Sequence, residues 1–163
     1  MNIFVLSYDV IQAAEWHVDR HVVKMPLETA QMLCTNLSQI NIETPYKPVH
    51  QKHPCTIWAG QSQHNFKWLC DLGLALCMEY TYRYEKIHKC EEVIYHCMKF
   101  IHNFPNRPMT HFAQAMPDEY KNNDPVKAYQ DYYVKAKNHL HKWSNRDIPF
   151  WCENSMDKEL VHA

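Results

Sequence analysis

The residues best suited to acid/base chemistry are a glutamate and two histidines in the stretch from His17 to Thr35. Glu28 follows His21 by seven positions, so on an ideal helix it lies about 20° short of two full turns and roughly 10 Å further along the same side. His17 precedes His21 by four positions and shares its face. A carboxylate and an imidazole lining one cleft suit general acid/base catalysis, so Glu28 and His21 are the candidate catalytic residues.

The same residues also have a purely structural interpretation. Pro26 cannot donate a hydrogen bond to the carbonyl of Val22, so the helix must kink there or restart with Pro26 in its first turn. In a restarted helix, Glu28 would lie in the first turn, where the helix dipole and local amides stabilise a carboxylate without any chemistry. His17 and His21 would then be ordinary, partly buried histidines, and the local pattern alone favours this interpretation.

A second group of polar residues lies in the segment from Gln39 to Pro54, whose prolines and lack of periodicity predict a long ordered loop. Its lysines and histidines form a patch more positive than the rest of the chain. We expect this loop to fold beside the start of the helix and to form the phosphate-binding wall of the Glu28 cleft. The candidate substrate- and phosphate-binding residues are His17, Arg20, Lys24, Tyr46, Lys47, His50, Lys52 and His53.

The spacing of His50, His53 and Cys55 is a weak candidate for a metal site, since two imidazoles and a thiolate are typical zinc ligands. Zinc needs a fourth ligand, and no second half of a metal motif occurs in the sequence. Gly-rich phosphate loops, nucleophile elbows and HExxH motifs are also absent from the sequence. We therefore predict neither a metal nor another cofactor.

Composition and periodicity predict an all-α or nearly all-α fold, a single compact multi-helix domain over residues 1–163. The chain has 163 residues, enough for one core without disulfides, and its two glycines argue against a turn-rich sheet fold. Apolar residues recur at three- and four-residue steps in several segments. The predicted elements are a short extended segment at Asn2 to Ser7, helices at Val10 to Trp16, His17 to about Ser38, Thr56 or Ser62 to about Lys86, Glu91 to His102 and Asp124 to about Trp143, a second loop at Met109 to Asn123, and a loose tail at 155–163.

The sequence also indicates where the protein is located and which partners it can bind. It contains no export signal and no run of 18 apolar residues, so we expect no membrane partner. Seven scattered cysteines resemble reduced core thiols, which points to a cytoplasmic location. The formal net charge of −1 weakens nonspecific attraction to duplex DNA and leaves a free nucleotide as an alternative ligand.

Several phrases of the sequence carry a family resemblance. They are DRHVVKMPLETAQML, YKPVHQKHPCTIW, TYRYEKIHKC, MPDEYK and DPVKAYQDYY, which together span most of the chain. They resemble phage-encoded proteins described as pyrimidine-dimer DNA glycosylases of the endonuclease V family. The pattern shared with the characterised enzyme is an acidic or amide residue, a histidine, and a glutamate seven residues after it, represented here by Asp19, His21 and Glu28.

This resemblance implies a role for Glu28, but the sequence differs from the family in one respect. Enzymes of the family attack the sugar C1′ with the α-amino group of a processed N-terminus, while a helix-borne glutamate stabilises the sugar cation. Glu28 matches that glutamate. Residue 2 is Asn, however, and a bulky residue there normally prevents the removal of Met1 that exposes the family's nucleophile. The sequence therefore favours simple hydrolysis of the glycosidic bond, with Glu28 orienting water, over the imine-forming lyase reaction.

Three functions follow as hypotheses. The first is a DNA glycosylase-like enzyme that hydrolyses a nucleobase–sugar bond in damaged or modified DNA. The second is a phage accessory protein that binds, sequesters or cleaves a small free nucleotide. The third is a helical interaction protein without chemistry. The sequence does not determine the oligomeric state.

Overall fold

The computed structural model describes residues 1–153, and within that range the protein is all-α, as the sequence predicts. Six complete α-helices lie within that range, with three short 3₁₀ turns at Ile101–Asn103, Asp118–Tyr120 and Asn138–Leu140, and a further helical segment begins at Phe150. The helices are α1 (Val10–Trp16), α2 (Asp19–Gln39), α3 (Pro54–Ala59), α4 (Gln63–Tyr84), α5 (Glu91–Met98) and α6 (Pro125–Ala136). The predicted loose tail at 155–163 lies outside the described residues.

The N-terminal segment is not a strand but an extended arm inserted into the helical body. Its apolar side chains Ile3, Phe4, Val5 and Leu6 are all buried in the hydrophobic core. The backbone amide of Asn2 donates to Glu28 of α2 at 3.0 Å, so the start of the arm lies against that helix. The arm therefore fixes the start of the chain against the centre of the molecule.

Helix α2 is continuous through Pro26, so the restart that the sequence left open as one of two alternatives at that proline does not occur. Val18 stands at the N-cap of α2. Pro26 lies inside the helix, on its buried face. Glu28 is consequently in the middle of the helix and not in the first turn of a new one. Stabilisation by a helix N-terminus does not account for its position.

Helices α2 and α4 form the centre of the body, with α1, α3 and α5 packed around them. Gly73 of α4 permits their close approach, because a Cβ at that position would lie 2.7 Å from Cγ2 of Thr29 and 2.8 Å from Cδ1 of Ile94. Such distances are shorter than van der Waals contact. This packing holds α2 rigidly, with its N-terminal half next to the arm.

Side-chain caps determine several helix boundaries. Asp9 accepts hydrogen bonds from the amides of Ile11 and Gln12, Ser62 accepts one from the amide of Asn65, and Asp124 accepts one from the amide of Val126.

Two helices end earlier than predicted. Helix α5 stops at Met98, and a 3₁₀ turn follows it. Helix α6 stops at Ala136, where the carbonyl of Tyr133 takes a hydrogen bond from the His141 ring in addition to the Lys137 amide. The loops at 40–53 and 109–123 are present as expected, apart from one 3₁₀ turn in the second. Across residues 1–153, no helix has the length and hydropathy needed to span a bilayer.

Candidate active site

Glu28 forms the centre of the site, because the beginning of the chain lies against its carboxylate. The α-amino nitrogen of Met1 is 3.2 Å from Oε1 of Glu28. The backbone amide of Asn2 donates to the same oxygen at 3.0 Å. Lys24, one turn earlier on α2, lies 3.5 Å from the other oxygen, Oε2. A buried carboxylate is therefore surrounded by nitrogen donors, one of which is a primary amine.

The Asn2 side chain holds this arrangement in place. Its Nδ2 donates to the carbonyl of Ala115 at 2.9 Å, and its Oδ1 accepts from the amide of Ile3 at 2.8 Å. The hydroxyl of Tyr129 lies 3.0 Å from the same Oδ1, and the thiol of Cys55 donates to it at 3.6 Å. Burial raises the pKa of Cys55 to about 11, so that thiol remains a donor at neutral pH. Asn2 thus links the arm to the second loop, α3 and α6.

A cavity of about 350 Å³ opens at the amine–carboxylate pair. This volume lies at the small end of the range for ligand-binding sites, which is roughly 300–1,000 Å³. The lining combines the amine and Glu28 with aromatic rings, a buried histidine and two lysines. The lining residues are Met1, Asn2, Phe4, His21, Lys24, Met25, Glu28, His53, Ala115, Tyr132 and Lys137.

His21 lines this cavity as a neutral ring. Burial lowers its pKa to about 3, and the positive charges of Lys137 and Lys24 add to the effect. Its Nδ1 is 2.6 Å from the hydroxyl of Tyr133, and its ring stacks on Phe4 with centroids 4.4 Å apart. His21 is therefore placed in the predicted cleft with Glu28, but not as a cation.

His53 also lines the cavity. Its Nδ1 caps α3 by accepting the amide hydrogen of Cys55 at 3.1 Å, and burial lowers the pKa of the ring. The hydrogen-bonded Nδ1 and the lowered pKa both favour the neutral ring, whose Nε2 then carries the hydrogen. His53 consequently contributes a neutral polar group.

Two of the proposed phosphate-binding residues lie elsewhere. His17 is completely buried, with Nδ1 2.6 Å from the carbonyl of Ala13, and burial lowers its pKa to about 4. A phosphate cannot reach it, so that assignment is wrong. Tyr46 lines a different cavity, of about 540 Å³, and its hydroxyl lies 3.4 Å from the sulfur of Cys90. The predicted role of Tyr46 beside Glu28 is therefore also corrected.

The remaining candidates divide between the cavity and the surface. Lys24 lines the cavity, whereas Arg20, Lys47, His50 and Lys52 are exposed and do not line it. The loop from residue 45 to 49 packs further along α2, where Thr35 exchanges hydrogen bonds with the backbone of Val49. Only His53 of the proposed phosphate-binding wall lines the cavity.

The weak metal candidate is not supported. Within residues 1–153, no three His, Cys, Asp or Glu side chains are grouped so that they could hold a metal ion. Cys55 donates to Asn2 and His53 accepts from the amide of Cys55, so both side chains already serve the local structure. His50, His53 and Cys55 therefore do not form a metal site.

Sequence reasoning missed the amine of Met1, the anchor at Asn2, and the contribution of α6. Tyr132 and Lys137 line the cavity, while the hydroxyl of Tyr133 contacts Nδ1 of the His21 ring. The four-residue spacing of Tyr129 and Tyr133 was a usable signal, because it places both hydroxyl-bearing rings on the buried face of one helix. No local pattern could have placed them beside residues more than a hundred positions earlier.

Two other cavities, of about 450 and 540 Å³, are larger than the one at Glu28. The first is lined by Phe112, Gln114, Lys121, Asn122 and Asn123, and the second contains the exposed residues Ile87 and Tyr95. Neither contains a buried carboxylate paired with an amine. Chemistry, not volume, therefore identifies the Glu28 cavity as the candidate active site.

Comparisons with known proteins add no relative to this picture. No protein-family model, curated protein sequence or solved structure matches this chain.

Proposed function

We propose that this protein is a DNA glycosylase that breaks the bond between a nucleobase and its deoxyribose, with the α-amino group at Glu28 as the nucleophile. The observation that carries the proposal is the 3.2 Å distance between that amine and the buried carboxylate. Two lysines line the same cavity, which suits a substrate that bears phosphates. The sequence resemblance supports the same reaction.

The proposed reaction has two bond exchanges. The neutral amine attacks C1′ of the sugar, and the glycosidic bond breaks with its electron pair leaving on the base, which takes up a proton. The amine then loses a proton and the O4′ bond opens, which gives an imine between the protein and the sugar. Glu28 stabilises the positive charge that develops at C1′ and accepts the proton of the attacking amine. Water hydrolyses the imine and regenerates the amine.

The position of the amine changes the chemistry that the sequence favours. Simple hydrolysis was preferred because Asn2 keeps Met1 in place. The nitrogen of Met1 and the nitrogen of Asn2 lie 3.2 and 3.0 Å from the same oxygen of Glu28. An amine at either residue would thus be adjacent to the carboxylate, and retention of Met1 is no objection to the amine route.

Borohydride trapping tests the proposal without knowledge of the damaged base. The protein is incubated with a duplex oligonucleotide containing an abasic site, whose aldehyde forms an imine with a suitably placed amine, and borohydride then reduces the imine to a stable adduct. We expect a covalent adduct whose N-terminal peptide carries the added mass. Intact mass measured beforehand establishes that the α-amine is free.

Glu28→Gln is the matched variant, since it preserves the size and most hydrogen bonds of residue 28 but removes its charge. We expect base release from damaged duplex to fall by about a hundredfold or more, the range typical of a lost acid/base group. Base release by the wild type without any trapped adduct would support hydrolysis in place of the amine route. Absence of both base release and adduct, with tight binding of a free nucleotide, would replace the proposal with nucleotide sequestration.

A further inference from the structure

The hydrogen bond between Tyr133 and His21 determines which ring nitrogen of His21 carries the hydrogen. The hydroxyl of Tyr133 is buried and already accepts the amide hydrogen of Val18 at 3.2 Å. Burial also raises the pKa of Tyr133, so the hydroxyl keeps its single proton. Among the residues described, the acceptor within reach of that proton is Nδ1 of His21, at 2.6 Å. The hydrogen of the neutral imidazole must then lie on Nε2.

Phe4 and Tyr133 together fix the orientation of the His21 ring. Phe4 is nearly parallel to it, with an angle of 12° between the planes. Because Nδ1 is turned toward the buried hydroxyl and the ring lines the cavity, the opposite edge, which carries Nε2, faces the cavity. His21 therefore presents a neutral N–H donor of fixed direction.

Positive groups surround this donor. Lys24 lies one turn further along α2, and Lys137 lines the same cavity, with its Nζ 5.2 Å from the centre of the Tyr132 ring. Lys137, Lys24 and His139 also contribute to keeping His21 neutral. A neutral donor in a cavity that also holds two ammonium groups suits an anionic oxygen, because it adds a directed hydrogen bond without adding like-charge repulsion.

We propose that the Nε2–H of His21, Lys24 and Lys137 form a binding subsite for one phosphodiester of the substrate, and that Tyr133 is the positioning residue that keeps His21 a donor. Within this subsite His21 lies about two helical turns from Glu28, roughly 10 Å along α2. Lys24 lies between them, with its Nζ 3.5 Å from Oε2 of Glu28. The subsite therefore extends from the reacting sugar to a neighbouring phosphate. The inference rests on the proposed function, since it assumes a nucleic-acid substrate for the same cavity.

A pair of substitutions at His21 separates the two ring positions. His21→Gln places an amide N–H near the position of Nε2, whereas His21→Asn places an amide near Nδ1 and leaves the cavity side empty. The probe is a duplex containing a tetrahydrofuran abasic analogue, which has no aldehyde and cannot be cleaved by the proposed reaction. We expect His21→Asn to weaken duplex binding by about tenfold or more, the loss expected when a hydrogen bond to a charged group is removed. The affinity of His21→Gln should stay within about threefold of the wild type, because its amide keeps that hydrogen bond.

A modified probe identifies the group that His21 contacts. Single phosphates of the duplex are replaced by neutral methylphosphonates. We expect the replacement at one position near the analogue to weaken duplex binding by the wild type but not by His21→Asn. Inorganic phosphate is titrated as a competitor to distinguish a nucleic-acid phosphodiester from free phosphate. Displacement of the duplex by low concentrations of phosphate would overturn the phosphodiester assignment.

Nitrogen NMR of the imidazole gives a readout that a merely structural role would not change. We expect the Nε2–H form at neutral pH in the wild type and a mixture of the two neutral forms in Tyr133→Phe, with hydrogen on Nδ1 partly populated. A wild-type ring with its hydrogen on Nδ1, or equal losses of binding in the two His21 variants, would overturn the subsite alone. A wild type that binds no abasic duplex would overturn the proposed function and the subsite together.

Discussion

Asn2 and Tyr129 are 127 positions apart in sequence, yet the hydroxyl of Tyr129 lies 3.0 Å from Oδ1 of Asn2. The same hydroxyl is 2.7 Å from the carbonyl of Ala113 and accepts the amide of Ala115. One buried tyrosine therefore joins the first residues of the chain to the second loop. Through this contact, α6 determines where the α-amino group lies relative to Glu28.

Asn2→Ala tests whether adduct formation requires the amine to be held in position, because the variant keeps an α-amino group but loses its anchor. The substitution removes the bonds to Ala115, Tyr129 and Cys55, and a small residue 2 also permits removal of Met1. We expect a loss of stability of about 1–3 kcal/mol, the cost of leaving buried polar partners unsatisfied, and a lower yield of borohydride-trapped adduct. Thermal unfolding, intact mass and trapping on an abasic duplex measure the three effects.

Tyr129→Phe is the control for the change in processing, because it leaves Asn2 and therefore Met1 in place. A similar loss of stability is expected, together with a smaller loss of adduct than in Asn2→Ala. If Tyr129→Phe lowers the melting temperature while the adduct yield of both variants equals that of the wild type, the contact stabilises the fold without positioning the amine.

The sequence predicts the parts of this fold that depend on short-range physics. The starts of α1 and α6 and the apolar stripe of α2 depend on local sequence, and they were predicted correctly. A helix restart at Pro26 does not occur, because tertiary packing keeps this proline within a continuous helix despite its intrinsic cost. The pairing of His21 with Glu28 in one cavity followed from helical periodicity.

The other half of the site depends on contacts that no local pattern encodes. The extended arm brings Met1 to Glu28 through burial of Ile3 to Leu6, and α6 supplies Tyr132 and Lys137 from a distant part of the chain. The charge state of the histidines also could not be predicted from composition, since burial makes His17 and His21 neutral.

Lys24→Ala combined with Lys137→Ala should reduce the salt dependence of DNA binding. Both lysines line the cavity, so their removal should weaken binding to an abasic-analogue duplex and lower the slope of log affinity against log salt by roughly 2, if each neutralises one phosphate. Titrations at several salt concentrations give the slope.

Lys47→Ala combined with Lys52→Ala provides the comparison and tests the sequence-based prediction for the loop. These lysines are exposed and lie outside the cavity lining. We expect a smaller change in slope than for the cavity pair, with nearly unchanged thermal stability. A larger effect from the loop pair would place the phosphate path over the loop and away from the cavity.

Arg83→Met should strongly destabilise the protein without touching the cavity. The fully buried guanidinium bonds to Asp19 at 2.9 Å, to Glu79 at 3.0 Å, and to the carbonyls of Glu15 and His17. Arg146 and Ser144 still bond Glu79 and Asp19 in this variant, but two buried ion pairs are lost. Breaking a buried ion pair by removing one partner typically costs about 3–5 kcal/mol. Chemical denaturation measures the change.

Lys67→Met is the surface control for that experiment. Lys67 pairs with Asp71 at 2.6 Å, but both side chains are substantially exposed, and such pairs contribute about 1 kcal/mol or less. If Arg83→Met were no more destabilising than Lys67→Met, the buried network would not be a significant source of stability.

The neutral state of His17 and His21 predicts loss of stability in acid. Burial lowers the pKa of His17 to about 4 and that of His21 to about 3, whereas both rings titrate near 6.5 in the unfolded chain. The unfolded state therefore binds more protons between those values, and the contribution of each ring is fully present above pH 6.5 and falls as the pH drops toward the folded pKa. In the middle of that window, each histidine should lower the free energy of unfolding by about 1.4 kcal/mol per pH unit.

The groups facing these rings do not reverse the direction of that effect. His17, Lys137, Lys24 and His139 lie near His21 and disfavour its charge, and Arg83 does the same for His17. The Ala13 carbonyl and Glu79 favour a charged His17 but do not outweigh its burial. Urea denaturation between pH 7 and pH 4 measures the slope, with His21→Gln as the test variant and His102→Gln, at an exposed histidine, as the control. The His21 variant should show a shallower slope than the wild type, and the His102 variant an equal one. A wild-type stability that stays constant or rises as the pH falls through this window would contradict the burial of two neutral imidazoles.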